Sequence, residues 1–162
     1  RDDEYGGSFE NRIRFILEIT NSVRAAIPET MPLFVRISAS DWLEGGWTIE
    51  NSIELCKRLK ESGVDLIDVS SGGTSSGAPV PIGPGYQVPF AKQIRKEAGI
   101  PTGAVGLITE AAQAESIIAD GEADAIFMAR EFLRNPRWPL QAARELKATV
   151  NWPLQIVRGK LD

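Results

Sequence analysis

The stretch "ESGVDLIDVSS", residues 61–71, leads from the end of a helical pattern through a glycine and an acid into a short apolar run. The same order recurs in "ADGEADAIFMA", residues 119–129. Four such runs occur, at Leu33 to Ser38, Asp65 to Ser71, Pro101 to Gly106 and Asp124 to Ala129. Their apolar residues are continuous rather than alternating, which is typical of parallel strands buried on both faces. We therefore predict four buried parallel strands.

Amphipathic helical patterns separate the predicted strands. The first, "SFENRIRFILEITNSVRAAI" at residues 8–27, has Ser8 in the N-cap position. Patterns at residues 48–63 and 109–121 start on Thr48 and Thr109. These two patterns and a third at residues 86–99 each end on a glycine, which commonly stops a helix. The last pattern, residues 135–148, starts with Asn135 and Pro136 at its cap and first turn.

The chain therefore opens on a helix and continues through four strand-helix units. Such repetition builds either a doubly wound open sheet or part of an eight-stranded βα barrel. Four parallel strands alone would leave two exposed edges, which sheets avoid by closure or cover. An opening helix with no strand before it also indicates a start in mid-fold. We predict an α/β fold of the TIM (βα)8 barrel type, with this chain covering about the last four βα units, a half barrel.

Composition disfavours several classes of partner. The 162 residues carry a net charge of −4, and acidic and basic residues are mixed along the chain. No basic block is therefore present for nucleic acid or an anionic membrane surface. No apolar stretch approaches the roughly 20 residues of a membrane span, and the first residues are polar rather than a signal peptide. We expect a cytoplasmic protein without nucleic-acid or membrane partners.

The chain has one cysteine and no histidine. A single cysteine, Cys56, excludes an internal disulfide framework and a cysteine-based zinc or iron-sulfur site, and its apolar pattern favours a buried thiol. The lack of histidine removes the commonest general base, Ser/His and Cys/His pairs, and most zinc sites. We expect no metal site, so chemistry must use other groups, a cofactor or residues supplied elsewhere.

A phosphate pocket is predicted at the carboxyl ends of the last two strands. "TGAVGLITEAA" places Gly103 and Gly106 at one strand end before a helix, and "IFMAREFL" places Ala129 and Arg130 at the next. Helix N-termini, small residues and an arginine together favour a bound phosphate, and barrels commonly bind phosphate there. Alternatively, the glycines only shape a turn and the arginine pairs with a nearby acid, Glu131 or Asp124.

Arg36 interrupts the apolar run "LFVRIS" at residues 33–38. A guanidinium in a dry strand is costly unless it has an anionic partner. Asp68 on the next strand and Asp41 in the following loop are two candidate partners. The functional alternative places Arg36 under a ligand that carries delocalised negative charge.

Five segments carry a family resemblance: "RDDEYGGSFENRIRFILEI", "PLFVRISASDW", "GVDLIDVSSGG", "GYQVPFAKQIRKEAGIPTGAVGLIT" and "ADAIFMAREFLRNPRWP". In order and spacing they closely resemble the Old Yellow Enzyme family, in particular its bacterial YqjM-like (thermophilic-type) ene reductases. The resemblance covers essentially all 162 residues. It implies that residues 1–162 are the carboxyl-terminal half of a single FMN-binding TIM-barrel domain.

The resemblance also implies an activity and a cofactor site. Family members bind FMN, which NADPH reduces and which then passes hydride to the β-carbon of an activated alkene such as an enone. Arg36 matches the family arginine against the pyrimidine edge of the flavin, where negative charge develops on reduction. Gly106, Ala129 and Arg130 match the residues at the FMN phosphate, with Ala129 standing where close relatives usually carry glycine.

The tail "LQIVRGKLD" supplies a further match. Arg158 corresponds to an arginine that reaches into the active site of the neighbouring subunit, near the substrate, which implies a homo-oligomer. Family tails usually carry an aromatic residue two positions before this arginine and a tryptophan after the glycine. This chain has Ile156 and Lys160 at those positions.

In this family the substrate-binding histidine pair (or His/Asn pair), the tyrosine proton donor and the amino-terminal flavin loop all belong to the other half of the barrel. The resemblance therefore implies no catalytic residue in this chain, and ene reductase activity that requires the amino-terminal half. The alternative is a non-catalytic half-barrel that binds FMN or phosphate, or self-associates. A third candidate is another phosphate-binding barrel enzyme; the related dienoyl-CoA reductases need a cysteine cluster, which one cysteine cannot supply.

Overall fold

The computed structural model describes residues 1–160 as alternating helices and parallel strands. The strands are β1 (Phe34–Ser38), β2 (Leu66–Ser70), β3 (Thr102–Ala104) and β4 (Ala125–Ile126). The helices are α1 (Phe9–Ala26), α2 (Ile49–Glu61), α3 (Val88–Ala98), α4 (Ala111–Ala119), α5 (Arg130–Arg134) and α6 (Trp138–Glu145), followed by a 3₁₀ turn at Val157–Gly159. The predicted domain extends to residue 162, and residues 161 and 162 lie outside this description.

The sheet order tests the predicted barrel against the doubly wound sheet that βα repetition also allows. All strand pairs are parallel and the order is β1-β2-β3-β4, so each strand lies beside its neighbour in sequence. A doubly wound sheet reverses its strand order at a switch point, whereas a TIM barrel adds βα units in one direction. The four strands form part of a TIM barrel, and the prediction of a partial barrel is confirmed.

Two of the predicted helix starts are correct and two are wrong. Ser8 and Thr48 cap α1 and α2, because their side chains accept the backbone N–H of Asn11 and Asn51. Thr109 does not cap α4, which begins one residue later than predicted with Glu110 as its N-cap.

The start of the last helical pattern also differs from the prediction. Asn135 ends the short helix α5 and accepts the backbone N–H of Trp138, so the N-cap of α6 moves to Arg137. Pro139, rather than Pro136, occupies the first turn of α6. Proline suits this position because the first-turn N–H groups have no partner within the helix.

The prediction that all strands are buried on both faces is wrong for β4, where Ala125 and Ile126 are only partly buried, and for β1. Val35 and Ile37 are 8% exposed and pack in the core, whereas Phe34 on the opposite face is 53% exposed. In a barrel, alternate strand residues point outward to the helices and inward to the barrel interior. The outward face of β1 is covered by helices, and its inward face is open among the described residues.

The core lies between the outer face of the sheet and the helices. Leu59 of α2, Ile94 of α3 and Ile67 of β2 are fully buried there. α1 packs against α2, and α2 against α3, so successive helices form one layer. This layer fixes the strands, whose carboxyl ends all lie at one edge of the sheet. None of the helices in residues 1–160 has the length and apolar character needed to cross a membrane.

Candidate functional site

A cavity of about 250 Å³ lies at the carboxyl ends of β1 to β4. Four predicted site residues line it, each from a different position in the chain: Arg36, Gly106, Ala129 and Arg130. The remaining walls come from the strand ends, the β3–α4 loop and α5, at Ser70, Tyr86, Gln87, Val105, Leu107, Ile108, Thr109, Phe127, Met128, Glu131 and Arg134. Residues separated by up to about 100 positions in sequence thus share one cavity.

Arg36 lies on the inward face of β1. The prediction that its side chain is in a dry interior is wrong, because 56% of the side chain is exposed. Its Nη1 donates to Oδ2 of Asp68 at 2.7 Å, and the two residues are opposite each other in the β1–β2 register. Asp41 is occupied elsewhere, since it accepts from the Thr74 hydroxyl and the Trp47 backbone N–H. Of the two candidate partners, the structure selects Asp68.

The β3–α4 loop has unusual backbone geometry at the cavity wall. Gly106 has φ +132° and the next residue, Leu107, has φ +51°. A Cβ at Gly106 would lie 3.0 Å from both Gln87 Nε2 and Tyr86 Cε1. A glycine is therefore required here both for its backbone conformation and for space. Leu107 is a non-glycine residue in the left-handed region, a form of strain that concentrates at functional sites.

Gly103 does not lie in a ligand-facing loop, which corrects the prediction that it flanks the helix N-terminus. It is in the middle of β3, paired with Asp68 on β2 and Ala125 on β4. A Cβ at this position would overlap the ring of Phe127. The role of Gly103 is to leave space for the Phe127 ring, which lines the cavity.

Arg130 begins α5 and is exposed, directly after Ala129. Its two candidate acidic partners are bound to other arginines: Arg95 contacts Asp124 at 3.0 Å and Arg134 contacts Glu131 at 2.7 Å. Within residues 1–160, no carboxylate oxygen lies within 4 Å of the Arg130 guanidinium nitrogens. The alternative in which Arg130 forms an ion pair with Glu131 or Asp124 is therefore wrong.

Gln87 is a site residue that the sequence interpretation missed. It is 2% exposed and joins the ends of two strands. Its Oε1 accepts from the Ser71 hydroxyl at 2.7 Å, and its Nε2 donates to the Val105 carbonyl at 2.8 Å. Trp42 Nε1 in turn donates to the Ser71 hydroxyl at 3.0 Å. The only sequence signal was a polar residue between Tyr86 and an apolar helix start, which does not distinguish a buried amide from an exposed one.

Arg158 is not brought to this cavity. It lies in the 3₁₀ turn Val157–Gly159 near the end of the described chain and is exposed.

The two tyrosines differ in position: Tyr86 lines the cavity, whereas the Tyr5 hydroxyl contacts Glu18 on α1. No group of three or more metal-ligating side chains occurs in the part of the chain that the structure describes.

Comparisons with known proteins agree with this architecture. Residues 1–149 match the model of the NADH:flavin oxidoreductase / NADH oxidase family. The chain is 56% identical over 159 residues to an NADPH dehydrogenase of Geobacillus sp. (strain WCH70), which covers 98% of this chain and 46% of that relative. The chain thus spans about half the length of the curated relatives it matches. Its resemblance to the Old Yellow Enzyme family is confirmed.

Solved structures show the same fold. A 2-naphthoyl-CoA reductase in complex with 2-naphthoyl-CoA superposes with a TM-score of 0.79 at 28% identity, covering 90% of this chain and 23% of that chain. A histamine dehydrogenase from Rhizobium sp. 4-9 superposes with a TM-score of 0.72 at 28% identity, covering 90% and 21%. With its one-directional parallel sheet and its match over residues 1–149, this chain belongs to the NADH:flavin oxidoreductase / NADH oxidase family.

Proposed function

We propose that the protein carrying this chain is an FMN-dependent ene reductase that takes hydride from NADPH and reduces the C=C bond of activated alkenes such as enones. The observation that carries the proposal is that Arg36, Gly106, Ala129 and Arg130 line one cavity. Relatives named NADPH dehydrogenase support the choice of reductant. When bound, FMN would supply the hydride-transfer chemistry, and this chain would supply part of its binding site.

The residues present fit the phosphate end of FMN. Gly106 leaves open the space that a Cβ would fill between Tyr86 and Gln87. Arg130 has no carboxylate partner among residues 1–160 and would offer a charge-assisted contact to a dianion. Ala129 precedes it, and its side chain is small enough for the backbone N–H to approach a phosphate oxygen. These residues would bind the phosphate.

Arg36 fits the flavin end of the cofactor. Its guanidinium lies at the cavity wall, and Nη1 donates to Asp68. The N–H groups on Nε and Nη2 would then be available to a ligand. A fixed cation stabilises an anionic reduced ring more than a neutral oxidised ring. Arg36 would therefore favour the reduced state and raise the flavin potential.

The proposed activity requires residues that this chain does not contain. The chain has no histidine, and neither tyrosine lies in the family's proton-donor motif. We propose that residues 1–162 are the carboxyl-terminal half of one FMN-binding barrel domain, with the substrate-binding and proton-donating residues in the other half. Arg158 would act at the neighbouring subunit of a homo-oligomer, which accounts for its position outside the cavity.

Substitution of Arg130 tests the proposal. In the complete protein, Arg130→Ala should weaken FMN binding by about ten- to a hundredfold, because it removes a charge-assisted contact worth roughly 1.5 to 3 kcal/mol. Fluorescence titration of the apoprotein with FMN measures the affinity. Arg144→Ala on α6 is the matched control, since Arg144 is exposed and outside this cavity. Equal FMN affinity in both variants would contradict the phosphate assignment.

The second candidate function is a non-catalytic half-barrel that binds FMN or self-associates. The open inward face of β1, with Phe34 half exposed, favours it. Mass spectrometry under denaturing conditions, which measures the single covalent chain of the protein purified from its source, separates the candidates. A mass about twice the 17.7 kDa of this chain supports the complete enzyme, and a mass near 17.7 kDa supports the half-barrel.

A further inference from the structure

Asp68 is a buried acid that no part of the phosphate or substrate assignment uses. It lies on the inward face of β2, directly opposite Arg36 in the β1–β2 register, and is 9% exposed. Its Oδ2 accepts from Arg36 Nη1 at 2.7 Å, and only 12% of its side chain is accessible. Arg36 is much more exposed, so the pair consists of a buried anion that holds a cation at the cavity wall.

The second carboxylate oxygen has no such partner. Oδ1 of Asp68 is buried and accepts no hydrogen bond from any residue in the range 1–160. The next residue across the sheet is Gly103 on β3, which has no side chain to offer. A buried carboxylate is costly to retain unless a cation compensates it, and here that cation is Arg36.

We infer that Asp68 is a positioning residue that orients the Arg36 guanidinium toward the flavin and sets how much of its positive charge the flavin experiences. The inference rests on the proposed FMN site. Asp68 holds Nη1, and Arg36 lines the cavity, so a guanidinium fixed at one nitrogen would offer its remaining N–H donors to a ligand there. The carboxylate offsets part of the guanidinium charge, so it should moderate the potential that Arg36 raises.

The test uses the complete FMN-loaded protein and its flavin midpoint potential. Asp68→Asn keeps the shape and a carbonyl acceptor for Arg36 while it removes the negative charge. The reduction equilibrium should shift about tenfold toward the reduced flavin, or ~30 mV upward for a two-electron couple. Asp65→Asn is the matched control, because Asp65 precedes the same strand but contacts Arg24 and the Leu33 backbone.

A double-mutant cycle with Arg36→Met tests whether Asp68 acts through Arg36. In the Arg36→Met background the Asp68→Asn substitution should change the potential much less than in the wild type, because a buried carboxylate without its cation is costly and should be retained in the neutral form, so that Asn would replace an uncharged group. An equal shift in both backgrounds would overturn the positioning role. An unchanged or lowered flavin potential in the Asp68→Asn single variant would also overturn the positioning role.

If Asp68→Asn does not fold, Arg36→Lys is the variant to measure. A lysine ammonium bound to Asp68 lacks the second nitrogen with which the arginine guanidinium would contact the flavin. The flavin potential should therefore fall toward that of Arg36→Met although the positive charge is retained. A wild-type potential in Arg36→Lys would then overturn the inference. Failure of the wild-type protein to bind FMN would instead contradict the proposed function.

Discussion

Arg36 shows how one residue in an apolar run can indicate a site. The sequence predicted an anionic partner for its guanidinium, and the structure supplies Asp68 at 2.7 Å. The pairing alternative and the ligand alternative are compatible, because Asp68 takes one nitrogen and Arg36 still lines the cavity. The hydrogen bond to Asp68 therefore does not argue against a second contact between Arg36 and a ligand.

Cys56 provides a prediction about pH at the same scale. It is fully buried, and burial raises the pKa of its thiol from 9.0 to about 12. Above pH 9 the unfolded chain loses a proton that the folded chain keeps, so stability falls as pH rises from about 9 to about 12. At pH 10 the loss is about 1 kcal/mol.

Urea unfolding at pH 7.5 and pH 10 measures this effect. Cys56→Ala should lower stability at both pH values through lost packing, but should lose less than the wild type on going to pH 10. Other groups that titrate in this range are common to both proteins, so the difference isolates the thiol. An identical pH dependence in the two proteins would contradict a buried, neutral Cys56.

At the scale of elements, the β3–α4 loop is the most constrained part of the site. Gly106 packs under Tyr86 and Gln87, and Gln87 holds the adjacent Val105 carbonyl. The α6 helix also contacts this loop, since Trp138 Nε1 donates to the Thr109 carbonyl at 2.7 Å. Loop shape is thus fixed by side chains from two other elements.

Substitution in this loop should affect both stability and cofactor binding. Gly106→Ala should lower the free energy of unfolding by roughly 1 to 3 kcal/mol, because φ is +132° and the new Cβ would meet Tyr86 and Gln87. Weaker FMN binding should accompany it, as measured by fluorescence titration. Gly83→Ala is the control, since its Cβ would have no atom within 4 Å. Equal effects of the two substitutions would show that Gly106 is not required.

At the scale of the whole molecule, the partial barrel leaves apolar surface and strand edges uncovered within residues 1–160. β1 and β4 are the two edges of the sheet, and Phe34 is half exposed on the inward face. Unpaired edge strands and exposed apolar side chains favour association. We therefore expect groups from outside residues 1–160 to cover these surfaces.

The isolated 162-residue chain should therefore self-associate in sedimentation experiments. Phe34→Lys should reduce the association because it places a charge on the open inward face. Phe15→Lys is the control, since Phe15 is also exposed but lies on α1 in the outer layer. A compact, stable monomer of 17.7 kDa would contradict the partial-barrel interpretation of these surfaces.

The sequence by itself determined the elements and the family. Continuous apolar runs, the caps Ser8 and Thr48 and the glycine stops are local signals, so they predicted the alternation of strands and helices. The matching segments also indicated Arg36, Gly106, Ala129 and Arg130 as candidate site residues. Bounds were less accurate where a cap depends on a distant contact, as at Thr109, whose carbonyl binds Trp138.

Only the tertiary structure decided how these residues meet. The choice of Asp68 over Asp41 depends on strand register. The space that Gly103 leaves for Phe127 and the burial of Gln87 depend on other contacts between residues far apart in sequence. Register joins residues that lie 32 positions apart, as in the Arg36–Asp68 pair, and no local pattern encodes which side chains face each other. The open inward face of β1 was likewise decided by long-range packing.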